Sequence, residues 1–371
     1  MSRMFVTIKK LTTKCRTQRR SSMVPLIVLA LILLGLIIPF GRKTSKKSYQ
    51  EVVDENHRQL VHSHVKAILD KKCRPAFTRS EMKSKFKWPG QVKDYFLREA
   101  SPTGPMFKYP PPFGFYNMKD KLHEILSLLP KSTGQESSGN ACQRCVVVGN
   151  GGILRGLRLG SLIDQFDIII RLNSGPVQGF SKDVGTRTSI RMSYPEGSPT
   201  AWEDQDPRLL FVAVVYKSVD FNWLRAMITR KQVSFWDWLF FWQKVPSRIP
   251  IELSQFRILN PEIIRETALD LLQLPAPRIR LWGWDQNVPT LGFSALTLAS
   301  YMCDEVSIAG FGYNLTDENA LLHYYDTLPM RVMLKQSMHN VNREHLLLKS
   351  LAEAGVISDL TGGVHCSFCS R

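Results

Sequence analysis

Two histidines near the C-terminal end stand where acid–base chemistry is feasible. His339 comes just before a helical pattern that Asn340 can cap. A helix N-terminus carries partial positive charge, which disfavours the imidazolium and leaves the ring neutral near neutral pH. A neutral His339 would accept a proton, and a second histidine, His323, stands in a His-Tyr-Tyr-Asp sequence that ends at Asp326. Either histidine taken singly has a simpler interpretation as a structural residue.

A glycine-rich turn, Gly-Asn-Gly-Gly over residues 149–152, follows a short apolar segment. Glycines there let the backbone approach a ligand, since a Cβ would block it. A dinucleotide-binding turn would need glycine at Leu154 and an acid near Asn173, so the sequence argues against NAD. Asn150 and Asn173 each offer donors and acceptors that suit a base or a ribose. The alternative is that both asparagines cap turns.

A second candidate binding segment begins at Thr290, before an apolar helical run. Thr290 is a plausible N-cap, and Gly292 keeps the first turn open. Such a helix terminus presents N–H groups and partial positive charge to a phosphate, although an ordinary capped core helix would look the same. Gly310, Phe311 and Gly312 end a later strand, at the edge where open α/β sheets bind ligands. Phe311 by itself could also belong to the core.

In order and spacing these blocks resemble the large, small, third and very small motifs of the eukaryotic sialyltransferase family. The blocks are residues 145–152 with 171–173, residues 287–303 with 310–312, residues 323–326, and residues 339–344, within a resemblance covering roughly residues 140–363. The resemblance implies that CMP-sialic acid is the donor. The residues it implies for donor binding are Asn150, Gly151, Asn173, Thr290, Gly292, Gly310, Phe311 and Gly312.

The resemblance also implies a reaction. Sialic acid would pass from CMP-sialic acid to the 3-hydroxyl of a terminal galactose, with inversion at the anomeric carbon. His339 would be the general base, and His323 would hold the departing phosphate. Glu344 completes the His-x4-Glu pattern and would support the helix or orient the site. No metal or other cofactor is implied.

Four stretches outside these motifs resemble the branch of the family that acts on a galactose-terminated glycolipid, lactosylceramide. The stretches are residues 72–75, 111–115, 217–223 and 239–242. One alternative is a sialyltransferase that acts on galactose-terminated glycoprotein glycans. A second is an inactive, membrane-anchored sugar-binding protein that kept the fold.

The formal net charge of +17 is concentrated at the N-terminus, where residues 1–50 hold eleven basic groups and no acid. The remaining 38 basic and 32 acidic groups argue against a nucleic-acid partner and suit an anionic substrate. Residues 23–40 are uncharged and approach the length of a bilayer span, with seven basic residues before them and four after. This pattern predicts an uncleaved signal anchor with a cytoplasmic N-terminus, the alternative being a cleaved signal peptide.

The predicted organisation is a cytoplasmic tail (1–22), a transmembrane anchor (23–40), a stem (41–109) and a lumenal catalytic domain (110–371). The family resemblance places such a protein in the Golgi membrane, single-pass and type II, and a homo- or hetero-oligomer is allowed but not specified by the sequence. Strand patterns alternate with helical ones, which predicts an α/β fold: a single Rossmann-like glycosyltransferase domain with a mostly parallel sheet. Predicted strands are 145–148, 167–171, 188–192, 209–215, 256–259 and 305–309; predicted helices include 61–69, 262–272, 291–302 and 341–354.

Seven cysteines fit an oxidising lumen, and Cys15 on the cytoplasmic side is the candidate for the unpaired one. The family resemblance implies that Cys145 pairs with Cys303. Cys142 then takes Cys73, the other upstream lumenal cysteine.

The two tail cysteines, Cys366 and Cys369, would close on each other, stay reduced or bind another chain. A zinc site built from these two and the Cys-x-x-Cys at 142–145 is the formal alternative to disulfides, and the lumenal context disfavours it.

Three further segments carry expectations of their own. Asp204-Gln-Asp resembles a metal-binding Asp-x-Asp, but it lies in a Pro- and Ser-rich loop before a strand, which predicts a solvated loop instead. Residues 235–242 are very aromatic and are expected to form a core or lid helix, with a surface near the bilayer as the alternative. Asn314-Leu-Thr is an N-glycosylation sequon.

Overall fold

The structure is a computed structural model that describes residues 53–97, 105–130, 141–204, 206–276, 287–312 and 317–369. The chain divides into two compact units, residues 1–51 and residues 52–371, and the elements below belong to the second. The predicted tail and anchor, Cys15 and the sequon at Asn314 lie outside the described residues. Among the helices described, none is both long enough and apolar enough to cross a membrane.

Seven parallel strands form one sheet, in the spatial order β5-β4-β3-β2-β1-β6-β7. The strands are β1 Arg144–Val148, β2 Ile168–Leu172, β3 Ile190–Ser193, β4 Leu210–Ala213, β5 Phe256–Ile258, β6 Glu305–Ala309 and β7 Ser358–Asp359. The sequence predicted the first six to within a few residues. The two-residue β7 was missed because so short a strand has no periodicity to detect.

Helices lie between the strands and before the sheet. They are α1 Glu55–Leu69, α2 Phe77–Phe86, α3 Lys119–Leu128, α4 Gly160–Ile163, α5 Ser181–Val184, α6 Ser218–Ile228, α7 Phe235–Trp238, α8 Pro261–Glu266, α9 Leu291–Met302, α10 Arg331–Leu334 and α11 Val341–Glu353. A π-helical turn, Thr267–Leu271, continues α8. Short 3-10 turns occupy Pro105–Phe107, Gly152–Leu154, Pro195–Gly197 and Leu253–Gln255. The predicted helix 291–302 is confirmed, and α1 begins six residues earlier than predicted because its first turn is polar.

The sheet is covered on both faces, as its apolar strands require. In β1, Cys145 and Val147 join the hydrophobic cluster that contains α9 residues, whereas Val146 and Val148 join the cluster that contains α1 and α4 residues. This alternation is the period of two that places successive side chains on opposite faces of a strand. The mostly parallel α/β fold is therefore confirmed.

Residues 53–97, which the sequence assigned to the stem, pack against this core. Val61 and Val65 of α1 are fully buried in one cluster, and Met82 and Trp88 are buried in another. The Trp88 Nε1–H donates to Glu266, and Tyr301 Oη donates to the same carboxylate at 2.6 Å. These contacts join the segment to α8 and α9.

Three disulfides are present: Cys73–Cys142, Cys145–Cys303 and Cys366–Cys369. The first two are the expected pairs, and the tail cysteines close on each other. In the described part of the chain, the single cluster with metal-ligand spacing is Cys73, Cys142 and Asp304, and its two sulfurs are in a disulfide. The same bonds use every thiol of the zinc alternative.

The aromatic run is exposed, contrary to the expectation of a core or lid helix. Only Phe241 is buried, whereas Trp236 is 73% exposed and Phe240 and Trp242 are each 70% exposed. The run forms the single-turn α7 and the turn after it, so it is too short to bury one face against the sheet.

Candidate active site

The order of the strands reverses between β1 and β6, and two glycine-containing loops meet at their carboxyl ends. Gly149 donates its N–H to Ala309 O at 2.8 Å, and Gly151 donates to Gly310 O at 3.0 Å. Such a switch point is where open α/β sheets bind ligands. The loop at 149–152 and the loop at 310–312 therefore lie where the sequence predicted a nucleotide site.

Close packing between these loops explains the glycines. A Cβ at Gly149 or Gly151 would lie 2.6 or 2.5 Å from the Gly310 carbonyl oxygen, and one at Gly152 would lie 2.4 Å from Leu321 O. The sequence analysis predicted that these glycines let a ligand approach the backbone closely. In the structure they permit the approach of another loop, which in turn shapes the edge of the site.

Asn150 is held between β2 and the His-Tyr-Tyr-Asp segment. Its Nδ2 donates to Leu172 O at 3.4 Å, and its carbonyl accepts the Tyr324 N–H at 3.0 Å. A Cβ at Gly175 would lie 2.4 Å from Asn150 Oδ1. Position 175 therefore needs glycine for Asn150 to keep this side-chain position.

Asn173 follows β2 in the left-handed region, with φ of 52°. Asparagine is among the few residues besides glycine that adopt it readily. Its carbonyl accepts from Arg191 Nη1 at 2.7 Å, and its Oδ1 accepts from Ser193 Oγ at 3.3 Å. A Cβ at Gly197 would lie 2.3 Å from that Oδ1, so Gly197 leaves the space that the Asn173 amide occupies.

Thr290 is the N-cap of α9, as predicted, and its Oγ1 accepts the Phe293 N–H at 3.2 Å. Its own N–H and hydroxyl are both donated to Glu344, at 2.7 and 2.5 Å. A buried carboxylate therefore already occupies part of the helix terminus that the sequence assigned to a phosphate. Helix geometry leaves the N–H groups of Leu291 and Gly292 without intrahelical partners, and they are the donors that remain for an anion.

Gly292 and Phe311 connect the two sides of the site. A Cβ at Gly292 would lie 2.9 Å from Phe311 Cε1, and one at Gly149 would lie 3.1 Å from Phe311 Cδ2. The Phe311 ring is therefore packed between the first turn of α9 and the turn after β1. Gly310 and Gly312, with φ of 70° and 92°, make the reversal that brings the ring there.

His339 lies directly before α11, and its Nδ1 is 2.8 Å from the carbonyl oxygen of Val288. A carbonyl only accepts, so Nδ1 carries the proton and Nε2 has the lone pair in the neutral ring. Burial lowers the pKa of His339 below its ordinary 6.5, and the bond to Val288 opposes that shift. The outcome is a neutral imidazole with one basic nitrogen, which is the form that a general base requires.

The Gln336 side chain fixes the turn that carries His339. Gln336 Oε1 accepts the His339 N–H at 2.7 Å, and its Nε2 donates to His339 O at 2.9 Å. Asn340 then caps α11 by accepting from Arg343 N at 3.1 Å. The sequence predicted this cap, and it missed Gln336 and Val288, since a backbone carbonyl has no residue-type signal.

Glu344 lies one turn into α11 and is buried. Burial raises the pKa of its carboxyl to about 7, and the two hydrogen bonds from Thr290 act in the opposite direction. The partial positive charge at the start of α9 also favours the ionised form. Glu344 thus couples the helix after His339 to the helix after Thr290, a supporting position that agrees with the sequence interpretation.

His323 lies beside the glycine turn, where its segment makes an antiparallel bridge with Gly151. Its Nδ1 is 2.8 Å from Asp326 Oδ2, and its ring stacks on Tyr325 with centroids 5.0 Å apart. The carboxylate favours a proton on Nδ1, which leaves Nε2 as the atom able to meet a ligand. Asp326 was part of the predicted motif but had no predicted role.

The predicted site residues are brought together by short steps. His339 contacts Val288, two residues before Thr290, and the contacts of Gly292, Phe311 and Gly149 lead on to Asn150. His323 reaches the same turn through its bridge with Gly151. The arrangement combines one basic nitrogen, a second histidine, two amides and a helix terminus at one edge of the sheet. Such a set can deprotonate a hydroxyl and hold an anionic leaving group.

Asp204 does not lie in a solvated loop, in contrast to the sequence prediction. It forms a buried ion pair with Arg191, whose Nη2 donates to its Oδ1 at 3.0 Å, and it accepts from Thr188 Oγ1 at 2.7 Å. Burial acts to raise the pKa of Asp204, but Arg191 and Thr188 hold it below its usual value. Since Arg191 also donates to Asn173 O, this pair supports the turn that carries Asn173.

Comparison with known families gives one assignment. The profile of glycosyltransferase family 29 (sialyltransferase) matches residues 97–356. A similar protein is the lactosylceramide alpha-2,3-sialyltransferase of Mus musculus, 43% identical over 337 residues, which are 90% of this chain and 81% of that protein. The lactosylceramide alpha-2,3-sialyltransferase of Homo sapiens is 45% identical over 319 residues, 85% and 76% of the two chains.

A relative whose name gives a different acceptor is less similar in sequence to this chain. The CMP-N-acetylneuraminate-beta-1,4-galactoside alpha-2,3-sialyltransferase of Homo sapiens is 39% identical over 294 residues, 79% of this chain and 77% of that one. Among solved structures, a mammalian sialyltransferase is similar with a TM-score of 0.53 and 25% identity. That match covers 68% of this chain and 80% of the solved one.

Proposed function

We infer that this chain, which belongs to glycosyltransferase family 29, the sialyltransferases, transfers sialic acid from CMP-sialic acid to galactose as an alpha-2,3-sialyltransferase. The finer features of the reaction proposed below rest on the geometry at His339. The observation that carries them is the contact of His339 Nδ1 with Val288 O, which leaves Nε2 as the basic atom.

In the proposed mechanism, His339 Nε2 accepts the proton of the galactose 3-hydroxyl. The oxygen then bonds to the anomeric carbon of sialic acid as the bond from that carbon to the phosphate oxygen breaks. Attack from the face opposite the leaving group inverts the anomeric centre. The proton stays on His339, and the electron pair leaves with CMP. Holding donor and acceptor in line supplies much of the rate enhancement in such a displacement.

The departing CMP gains negative charge on its phosphate. We assign its stabilisation to His323 and to the N–H groups of Leu291 and Gly292, while Asn150 and Asn173 bind the nucleoside part. Donors that are fixed before the reaction stabilise developing charge without having to reorganise. The scheme routes no step through a metal ion.

We propose lactosylceramide as the acceptor, because two relatives that bear that name are more similar to this chain than the beta-1,4-galactoside relative. The test is turnover of the full chain with lactosylceramide in vesicles against N-acetyllactosamine in solution. A higher kcat/KM for lactosylceramide is expected. A preference for the soluble disaccharide would assign the chain to glycoprotein glycans, and absence of turnover with both would support the sugar-binding alternative.

The proposed setting is the Golgi membrane, with residues 23–40 as a type II anchor and the catalytic domain in the lumen. The support is the charge pattern on either side of that segment. Protease protection of residues 52–371 in sealed microsomes tests this topology, and digestion of that part without detergent would contradict it.

A further inference from the structure

An unusual surface lies on α7 and the turn that follows it. Phe235, Trp236, Trp238, Phe240 and Trp242 are between 49% and 73% exposed. From the size of aromatic side chains, they present on the order of 600 Å² of apolar area to solvent. Monomeric soluble proteins rarely expose a contiguous patch of that size without a partner. We call these five residues the aromatic patch.

The aromatic patch is held in a defined position. Asp237 accepts from Asn222 Nδ2 at 2.7 Å, which ties α7 to α6. The ring of the buried Phe241 has its centroid 4.8 Å from Lys217 Nζ. The same Nζ pairs with Oε1 of the buried Glu196 at 2.5 Å. Ser234 caps α7 by accepting from Trp236 N at 3.3 Å. The rings are thus displayed outward from an anchored turn.

Exposed cations lie beside the patch, next to Trp238. Arg230, Lys231, Lys244 and Arg248 line a cavity of about 460 Å³ that also includes Trp238. Arg230 Nη2 lies 3.9 Å from Glu252 Oε1, and both of these side chains are exposed. We call these four residues the basic rim.

We propose that the aromatic patch and the basic rim form a docking surface for the lipid bilayer, on the face at which the catalytic domain lies. Tryptophan favours the interface between headgroups and acyl chains, where an apolar ring and a polar N–H are both satisfied. Lysine and arginine are also favoured at membrane interfaces, where the charged ends of their side chains meet the phosphate groups of the lipid headgroups. The charge of the rim selects a lipid surface over a neutral apolar partner.

The surface adjoins the donor site. Gln243, directly after the patch, donates to the carbonyl of Glu196, and the next residue, Gly197, abuts Asn173 Oδ1. A docked patch would therefore keep the site close to the bilayer, where the sugar of a glycolipid projects. This last consequence rests on the proposed glycolipid acceptor, whereas the docking itself does not.

The test uses tryptophan fluorescence of the full chain in vesicles of phosphatidylcholine and phosphatidylserine, with brominated phosphatidylcholine as quencher. Residues 1–52 contain no tryptophan, so the predicted anchor contributes no signal. We expect quenching in the native chain and loss of most of it in the triple variant Trp236→Phe/Trp238→Phe/Trp242→Phe. Phenylalanine keeps the patch apolar, and these exposed rings carry no core packing, so the variant should fold.

A second variant separates docking from its reporter. Lys231→Gln/Lys244→Gln keeps every tryptophan and should reduce the quenching severalfold. Leu346→Gln is the control, because Leu346 is 60% exposed on α11 and outside the patch. It should quench like the native chain.

Absent quenching in the native chain, or equal quenching in the triple variant, would overturn the proposal. A change from dimer to monomer in the patch variants, without lipid quenching, would instead identify a second copy of the chain as the occupant. Lactosylceramide turnover is measured on the same samples. Intact quenching with no glycolipid preference would contradict the proposed acceptor and leave the docking surface standing.

Discussion

Glu344 receives both polar hydrogens of Thr290, the N–H at 2.7 Å and the hydroxyl at 2.5 Å. This pair of bonds ties the helix that follows the proposed base to the helix that follows the proposed nucleotide segment. A shift of either helix would break two hydrogen bonds to a buried carboxylate. The distance between His339 and the donor site is therefore set in part by a residue that need not touch either substrate.

Substituting Glu344→Gln tests this buried acid through the pH dependence of stability. The native pKa of about 7 exceeds the ordinary 4.5. Between these values the unfolded chain releases its proton first, so the free energy of unfolding should fall as pH rises, by roughly 3 kcal/mol in total. The variant should lack that slope. Urea denaturation from about pH 5 to pH 8 measures it, and identical slopes in both proteins would contradict the prediction.

Replacing the proposed base by His339→Gln should lower kcat by about 10² to 10⁴-fold, the usual contribution of general base catalysis. Glutamine can still donate to the Val288 carbonyl, so CMP binding measured by calorimetry should be retained. In the native enzyme kcat/KM should decline at a pH below 6.5, because burial lowers the pKa of His339 and only the unprotonated ring is active. Native-like turnover in the variant would exclude the assignment.

The negative charge of Asp326, beside His323, should contribute to turnover. Asp326→Asn removes the negative charge and one of the two acceptor oxygens, so that the bond from His323 Nδ1 is weakened by about half even where the remaining oxygen accepts it. We expect kcat to fall roughly fivefold to tenfold, with KM for the acceptor unchanged. Leu328 N donates to the other Asp326 oxygen at 3.0 Å, so circular dichroism is needed as a control that the variant keeps its secondary structure. A change confined to acceptor KM would argue against a role at the phosphate.

The buried ion pair between Arg191 and Asp204, which supports the Asn173 turn, should contribute strongly to stability. Asp206 in the same loop provides the control. Asp204→Asn should cost about 3–5 kcal/mol, because it leaves the Arg191 charge buried without compensation. Asp206→Asn should cost less than about 1 kcal/mol, since its partner Arg208 is exposed and 3.7 Å away. Denaturant titration of both variants at neutral pH provides the comparison. Equal costs would mean that the Arg191 pair is not effectively buried.

Gly197→Ala should disturb donor binding without contacting the donor. The new Cβ would lie 2.3 Å from Asn173 Oδ1 and would displace that amide. We expect KM for CMP-sialic acid to rise roughly tenfold, the value of about one good hydrogen bond. In an Asn173→Ala background the same substitution should have little further effect on KM. Additive effects would show that Gly197 acts elsewhere.

The sequence predicted those parts of the fold that have local signals. The apolar runs identified six strands, and the Thr290 and Asn340 caps identified the starts of α9 and α11. The order of the motifs singled out both histidines, and their roles stay predictions. Residue type and periodicity sufficed for the strands and the caps, because strand burial and helix capping act within a few residues.

The rest depends on contacts between distant residues. Arg191 pairs with Asp204, thirteen residues away, which the sequence analysis had placed in a solvated loop. Val288 contacts His339 only through its backbone carbonyl, which no residue type can reveal. The exposure of the aromatic run contradicts its hydrophobicity, since burial depends on whether another element covers the run. The glycines of the 149–152 turn are required because a loop that begins about 160 residues later packs directly against them.

The covalent link between Cys145 and Cys303 spans 158 residues, which has a consequence during synthesis. In a compartment that oxidises thiols as chains enter it, Cys73, Cys142 and Cys145 all arrive long before the correct partner of Cys145. Until β6 emerges, β1 lacks its neighbour on one side and its thiol can be captured by the wrong sulfur. Production of active protein should therefore be limited by disulfide reshuffling after release, and a cell's supply of isomerase would govern its yield.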